Sequence, residues 1–437
     1  MAAVVTVVSM QDTRAVPERG DQAEADEADR QPSAAVARGP LRKVLVLLLV
    51  LALVGGWIFA AADDAADDAE VVDPPRSGPP ITVHAWAPYW QPDSALASFT
   101  SNSALFSDVS LFAYHAAAAD AVGAYAQADL DLIQQFEGPA ATAGVKLTAS
   151  IIDDTGPGGM AAILADPVSR QLHVETIVEF TSASGFDGID LDYETFAFGD
   201  ERQTWAETRP NWVAFVTDLA EALHARDKTL TVSVPPQYDP ERTGGDRGYW
   251  VYDYEAIGQV VDFVRIMAYD YSTSDPGAIA PIDWVEGLVN DIKDLVPPSK
   301  MILGVPVYGY NWPTSTLGLC PAGQEPKRRS QSTTSATALA ASVGVVPTYD
   351  ESRAESTFVY NETLIGLDLD GAETTCTVTR TVWFADARAV HRRALLAHRE
   401  GLAGISIWSL GSDDPASWSA ISAAKAGQET WQPVPQP

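Results

Sequence analysis

Cysteine is nearly absent from this 437-residue chain, which has two, Cys320 and Cys376. Two cannot build a disulfide-dense scaffold or a Cys-rich zinc site. Histidine is sparse as well: six are scattered, none at His-x-His or His-x-x-x-His spacing. No metal and no cofactor is expected. Basic residues are the third shortage. Against 59 Asp and Glu stand 28 Lys and Arg, a net charge of −31, which excludes the basic footprint of a nucleic-acid binder. No Gly-rich phosphate loop follows any strand-like run, which argues against an open, doubly wound nucleotide-binding sheet. Nothing in the composition marks a protein partner. What remains is ordinary hydrophobic content, 46%, enough to bury a large core.

One apolar run stands out. Val44 to Ala62, "VLVLLLVLALVGGWIFAAA", carries no charge over nineteen residues, roughly 28 Å as a helix and close to a bilayer core. Arg38, Arg42 and Lys43 precede it and Asp63, Asp64, Asp67 and Asp68 follow. The positive-inside rule then keeps residues 1–43, polar and reading as disordered, in the cytosol. The expectation is a single-pass membrane protein with residues 63–80 as an acidic, Pro-rich linker and the remainder outside the cytosol. The alternative is secretion after signal cleavage, because Ala60–Ala62 resembles a small-residue cleavage site. Either way Cys320 and Cys376 could pair.

From residue 81 the chain alternates β-branched runs with helix-like stretches. The candidate strands are 81–90, 108–115, 145–153, 186–194, 230–236, 261–271, 301–310 and 404–411. Helical spacing recurs between them, as in 209–227 and 282–296. Eight strands with crossovers predict an α/β protein, a (β/α)8 barrel over residues 81–425 with a tail at 426–437. The gap between strands seven and eight is too long for one helix. Residues 311–382 hold strand-like pieces such as "STFVYNE" and "TTCTVTRTVWF" and predict a small α+β insertion, which a 320–376 disulfide would close on itself.

The densest chemistry is "GFDGIDLDYET", residues 185–195, with four carboxylates among Ile, Leu, Tyr and Phe. Alternate residues of a strand share a face, so Asp190, Asp192 and Glu194 point into the barrel while Ile189, Leu191 and Tyr193 face the helices. The acids climb toward the C-terminal mouth, where such barrels do their chemistry. At ~6.6 Å between successive acids, two full charges repel by ~2.5 kcal/mol at an effective dielectric of ~20. The set should therefore retain a proton, as a general acid requires. Two other readings compete. Counting from Asp190, acids at positions 1, 3, 5 and 12 (Glu201) imitate a calcium loop, but position 6 is Thr195 where the turn needs Gly. A solvated acidic edge would not carry this apolar context.

"DGIDLDYE" resembles the DxxDxDxE signature of the chitinase-type glycoside hydrolases, family 18. Further landmarks recur in order: "MAYD" (267–270), "GVPVYGY" (304–310) and "ISIWSLGSDD" (405–414). "HAWAPYW" and "VWFADARAV" resemble the branch with bacterial spore-germination and cortex-lytic hydrolases. "ASIIDDTG" departs from the SxGG that many chitinases have on strand three, which puts chitin in question as substrate. The resemblance implies a retaining, substrate-assisted glycosidase acting on β-1,4-linked N-acetylglucosamine polymers such as peptidoglycan or chitin-like chains. In it Glu194 is acid then base, Asp192 orients the substrate acetamide, and Asp190 shares a proton with Asp192. Tyr269 hydrogen-bonds the acetamide, Asp270 contacts the same sugar, and Trp408 is the sugar's apolar floor. Tyr89 and Trp90 would line the cleft, with Trp312 and Tyr238 as weaker candidates. Asp187, of the wrong parity for the inward face, would fix the strand's entry beside Gly188. The rival reading is a catalytically silent glycan-binding protein on the same barrel; such relatives lack the acid found here as Glu194.

Overall fold

The computed structural model describes residues 80–236 and 248–432. Eight strands form the barrel: β1 (Thr82–Pro88), β2 (Asp108–Ala118), β3 (Lys146–Asp153), β4 (Gly188–Asp192), β5 (Thr229–Val234), β6 (Phe263–Ile266), β7 (Met301–Pro306) and β8 (Gly404–Trp408). Each pairs in parallel with its sequence neighbour, and β1 also pairs with β8, Thr82 against Gly404 and Ala85 against Ile407. The sheet therefore closes. Parallel pairing requires crossovers, and each strand is followed by a helix, for example Pro167–Ala183 after β3 and Trp205–His224 after β4.

Strand parity sets the layers. Outward residues such as Ile189, Leu191 and Tyr193 are fully buried against helices, and the Tyr193 ring stacks at 6.1 Å on Phe215 of Trp205–His224. Its hydroxyl lies 2.6 Å from His173 Nε2. His173 Nδ1 is 3.1 Å from the Ala119 carbonyl, so Nδ1 carries the proton and Nε2 accepts from the tyrosine; burial lowers the His173 pKa and keeps the ring neutral. Inward residues are polar instead: Ser110, Thr148, Ser150, Asp190, Ser233, Arg265 and Ser406 are buried in the barrel.

The insertion between β7 and β8 is α+β, as expected, but larger than 311–382. Its five-stranded antiparallel sheet starts at Tyr308–Gly318 and ends with Glu373–Phe384, with the helix Thr333–Ser342 against one face. The run read as one strand over 301–310 is two strands parted by Val307. Its apolar pattern is continuous, so periodicity does not mark the change of sheet. Gly309 marks the crossing, because a Cβ there would lie 2.0 Å from the Trp383 carbonyl oxygen. Val307 is held on both sides, its N–H bonding the Trp408 carbonyl at 3.0 Å and its carbonyl accepting from Thr333 at 3.1 Å. Farther out, buried Glu355 of the insertion accepts from the N–H groups of Ile279 (2.9 Å) and Ala280 (2.7 Å) and pairs with Arg393 at 2.9 Å. Cys320 and Cys376 are joined in a disulfide across this sheet.

The run 261–271 is likewise shorter as a strand. It ends at Ile266, and the chain beyond it forms a loop whose first residue bonds through its N–H to the Val234 carbonyl at 2.9 Å. The segments 1–43, 44–62 and most of 63–80, with the membrane helix expected there, lie outside the described residues, as does Tyr238. Among the described residues no helix is long and apolar enough to cross a membrane.

Candidate active site

Asp190 is the hub of the barrel interior. It is 0% exposed and accepts three hydrogen bonds from three other strands. Trp86 Nε1 of β1 donates to Oδ2 at 2.7 Å, Arg265 Nη1 of β6 donates to the same oxygen at 2.9 Å, and Ser233 Oγ of β5 donates to Oδ1 at 2.6 Å. Arg265, itself fully buried, also reaches Ser110 Oγ at 3.0 Å and Asp108 Oδ1 at 3.4 Å, and lies 4.6 Å over the Trp86 ring. Below it, His84 sits 3.6 Å from Asp108; burial lowers its pKa although Asp108 opposes the shift. The inward face expected of Asp190 is thus the one observed. The expectation of repelling acids omitted the cation, Arg265.

Two residues on, Asp192 is 1% exposed at the end of β4, and Glu194 lies half-buried where the strand has given way to the short helix Thr195–Phe198. Asp153, at the end of β3, fixes that turn. Its Oδ1 accepts from the N–H of Glu194 (3.0 Å) and Thr195 (2.7 Å), its Oδ2 from the N–H of Phe196 (3.0 Å). Burial pushes the Asp153 carboxyl up to about 7, against the downward pull of those donors. Tyr252 donates its hydroxyl to the Tyr193 carbonyl at 2.7 Å. Burial first, and then the negative charge of Glu194, hold that phenol protonated far above neutrality.

Aromatic rings surround the mouth. The half-buried Trp408 ring meets Trp86 at 5.4 Å, Phe112 at 5.2 Å, Trp90 at 6.1 Å and Tyr269 at 6.4 Å. Trp90 is 51% exposed, and Tyr89 stacks on Tyr125 at 5.0 Å, so both stand at the rim. Tyr269 is buried beside Tyr308. Asp270 takes a left-handed backbone, φ +60°, which Asp tolerates better than most residues. Its carboxylate accepts from the hydroxyls of Tyr308 and, at 2.8 Å, Tyr310, tying the loop after β6 to the insertion. Burial and the Asp270 charge keep both phenols protonated.

Two candidates lie elsewhere. Trp312 is buried in the insertion and donates to the Thr273 carbonyl at 3.0 Å, which removes it from the open cleft. Asp187 sits at the opposite end of β4, its carboxylate accepting from Leu147 N–H at 2.9 Å. It fastens β4 to β3, the entry role expected for it. Gly188 beside it leaves no space for a side chain, since a Cβ would fall 2.4 Å from the Thr229 carbonyl oxygen.

Sequence reasoning missed Arg265, Trp86, Ser233 and Asp153. Arg265 left a signal, a charge in the middle of the apolar run "VDFVRIMAYDY". Trp86 shares the inward parity of His84, which could have placed it.

The model of the family "Glycosyl hydrolases family 18" matches residues 86–413, a span that takes in β4, the Tyr269–Asp270 loop, the insertion and Trp408. The cortical fragment-lytic enzyme of Bacillus anthracis is 28% identical over 288 residues, 64% of this chain and 60% of that protein. The chain thus spans about three fifths of this relative's length. Among solved structures, a chitinase from Chromobacterium violaceum ATCC 12472 superposes with a TM-score of 0.64 at 27% identity, over 79% of this chain and 99% of the other. The Bacillus cereus spore cortex-lytic enzyme SleL superposes with a TM-score of 0.63 at 22% identity, over 79% and 74%; at that identity the likeness is one of fold. The chain belongs to glycosyl hydrolase family 18.

Proposed function

We propose that this chain is a retaining glycosidase that cleaves β-1,4-linked N-acetylglucosamine-containing glycans, peptidoglycan or chitin-like, by substrate-assisted catalysis. The observation that carries the reading is the gradient of exposure at the end of β4: Asp190 and Asp192 closed off from solvent, then Glu194, half-buried, just past the strand. Glu194 protonates the leaving glycosidic oxygen and afterwards takes a proton from water. The substrate's 2-acetamido oxygen is the nucleophile, so no second carboxylate attacks. Asp192 orients the acetamide and stabilises the positive charge that forms on it, Tyr269 donates to the acetamide carbonyl, and Asp270 contacts the same sugar. Trp408 supplies the apolar floor under the pyranose ring.

The barrel works outside the cytosol, tethered through residues 44–62. The uncharged run with basic residues before it supports this, as does the Cys320–Cys376 disulfide, a bond that reducing compartments do not maintain. The similarity to a cortical fragment-lytic enzyme favours peptidoglycan.

The test is Glu194→Gln. Wild-type protein should release reducing ends from purified peptidoglycan or from chitooligosaccharides, with mass spectrometry naming the product. The variant should lose at least ~10³-fold of that rate while binding glycan and unfolding as the wild type does. Wild-type protein that binds such a polymer tightly and never cleaves it would establish a lectin instead.

A further inference from the structure

Arg265 is a fully buried cation wedged between two buried carboxylates, and the reaction outlined above gives it no task. Its Nη1 lies 2.9 Å from Asp190 Oδ2 and its Nη2 3.4 Å from Asp108 Oδ1, while the Trp86 indole both stacks on it and donates to the same Asp190 oxygen. With Ser233 on Oδ1, both oxygens of Asp190 are engaged by donors. A proton arriving on Oδ2 would face two N–H groups and displace one of them.

We infer that Arg265 is a positioning residue that neutralises Asp190, so that the working proton is confined to Asp192 and Glu194 next to the substrate rather than shared downward to Asp190. The inference rests on the glycosidase reading and deepens it. The charged and titratable groups facing the pair from neighbouring elements are His84 on β1 and Asp108 on β2; Asp153, at the end of β3, instead holds the backbone of Glu194, Thr195 and Phe196. Asp192 follows on β4 itself and Glu194 just past its end, and Tyr269 lies in the loop after β6. His84 stays neutral through burial. Among these groups Arg265 therefore supplies the positive charge, and it sits one side-chain layer below the acids that would touch the sugar.

Without Arg265, Asp190 carries an uncompensated charge two residues from Asp192, ~6.6 Å along the strand. At an effective dielectric of ~20 a charge so close to the reacting acids displaces the pH profile of the reaction upward by roughly 1–2 pH units. The experiment compares the full-length wild type with Arg265→Met, Arg265→Lys, Asp190→Asn and the double variant Arg265→Met/Asp190→Asn. The kcat/KM profile against pH for chitooligosaccharide or peptidoglycan hydrolysis is one readout, and urea unfolding at pH 5 and pH 8 is the other.

Arg265→Met should displace the pH profile upward by roughly 1–2 units and should unfold more readily at pH 8 than at pH 5. The double variant should return both readouts toward wild type, and Arg265→Lys should keep the wild-type profile at a lower rate. A uniform loss in Arg265→Met with an unmoved profile, or a double variant that rescues neither readout, would overturn the inference and leave Arg265 as packing alone. If Asp190→Asn rescues the stability of Arg265→Met while the wild-type protein cleaves no glycan, the charge pairing stands and the glycosidase reading falls instead.

Discussion

Replacing Asp153 by Asn tests the turn that carries Glu194. In the native protein burial holds the Asp153 carboxyl up to about 7, whereas in the unfolded chain it titrates as an ordinary aspartate, near ~3.9. Between those values the folded state keeps a proton that the unfolded state has released. Stability therefore falls as pH rises through this window and levels off above about pH 7. Three units at ~1.4 kcal/mol each amount to about 4 kcal/mol. Asn cannot ionise, so the stability difference between the two proteins should change by about that amount between pH 4 and pH 7, in the variant's favour at the higher pH. The remaining carboxyls titrate in both and cancel. A constant offset of ~1–3 kcal/mol against the variant is also expected, because the amide nitrogen would replace the oxygen that accepts from Phe196 N–H at 3.0 Å. Urea unfolding followed by tryptophan fluorescence at half-unit pH steps measures both quantities. Parallel stability curves for the two proteins would refute the reasoning.

Removing the disulfide with Cys320→Ser/Cys376→Ser releases a loop whose ends are 56 positions apart, a chain-entropy effect of about 4 kcal/mol. Amide exchange should accelerate within Tyr308–Phe384 while the barrel strands stay protected; equal acceleration in β4 would contradict this. Gly188→Ala would set a methyl group 2.2 Å from Thr229 Oγ1 and 2.4 Å from the Thr229 carbonyl oxygen. Because the closer packing involves backbone, the loss should be about 3 kcal/mol in urea unfolding. A loss under ~1 kcal/mol would mean that β4 and β5 can part at no great cost.

How much of this was written in the sequence depends on the range of the interaction. The parity of Asp190 and Asp192 is local, a period of two within one strand, and it was legible, whereas the end of that strand before Glu194 was not. So were the eight strands and the α+β character of the insertion, each carried by short-range patterning. The partners of Asp190 were not legible, since Trp86 and Arg265 stand 104 and 75 positions away. Barrel closure, rather than any spacing rule, brings them together. Asp153 escaped for the same reason: it reaches the backbone of Glu194 from 41 positions earlier. The strand boundary at Val307 was hidden differently, because both sheets want the same apolar residues there.

That boundary fixes how the insertion sits beside the mouth of the barrel. Val307 alone separates barrel from insertion, with its N–H and its carbonyl both bonded, and Glu355 clasps the far side to Ile279 and Ala280. A flank anchored this way has no slack segment to act as a hinge. The side of the mouth next to Trp408 and the insertion is therefore fixed in place when the chain folds rather than adjusted afterwards. On the proposed glycosidase reading, exchanging residues along the outer strands of the insertion would then alter which glycans are admitted while the proton chemistry around Glu194 goes on unchanged.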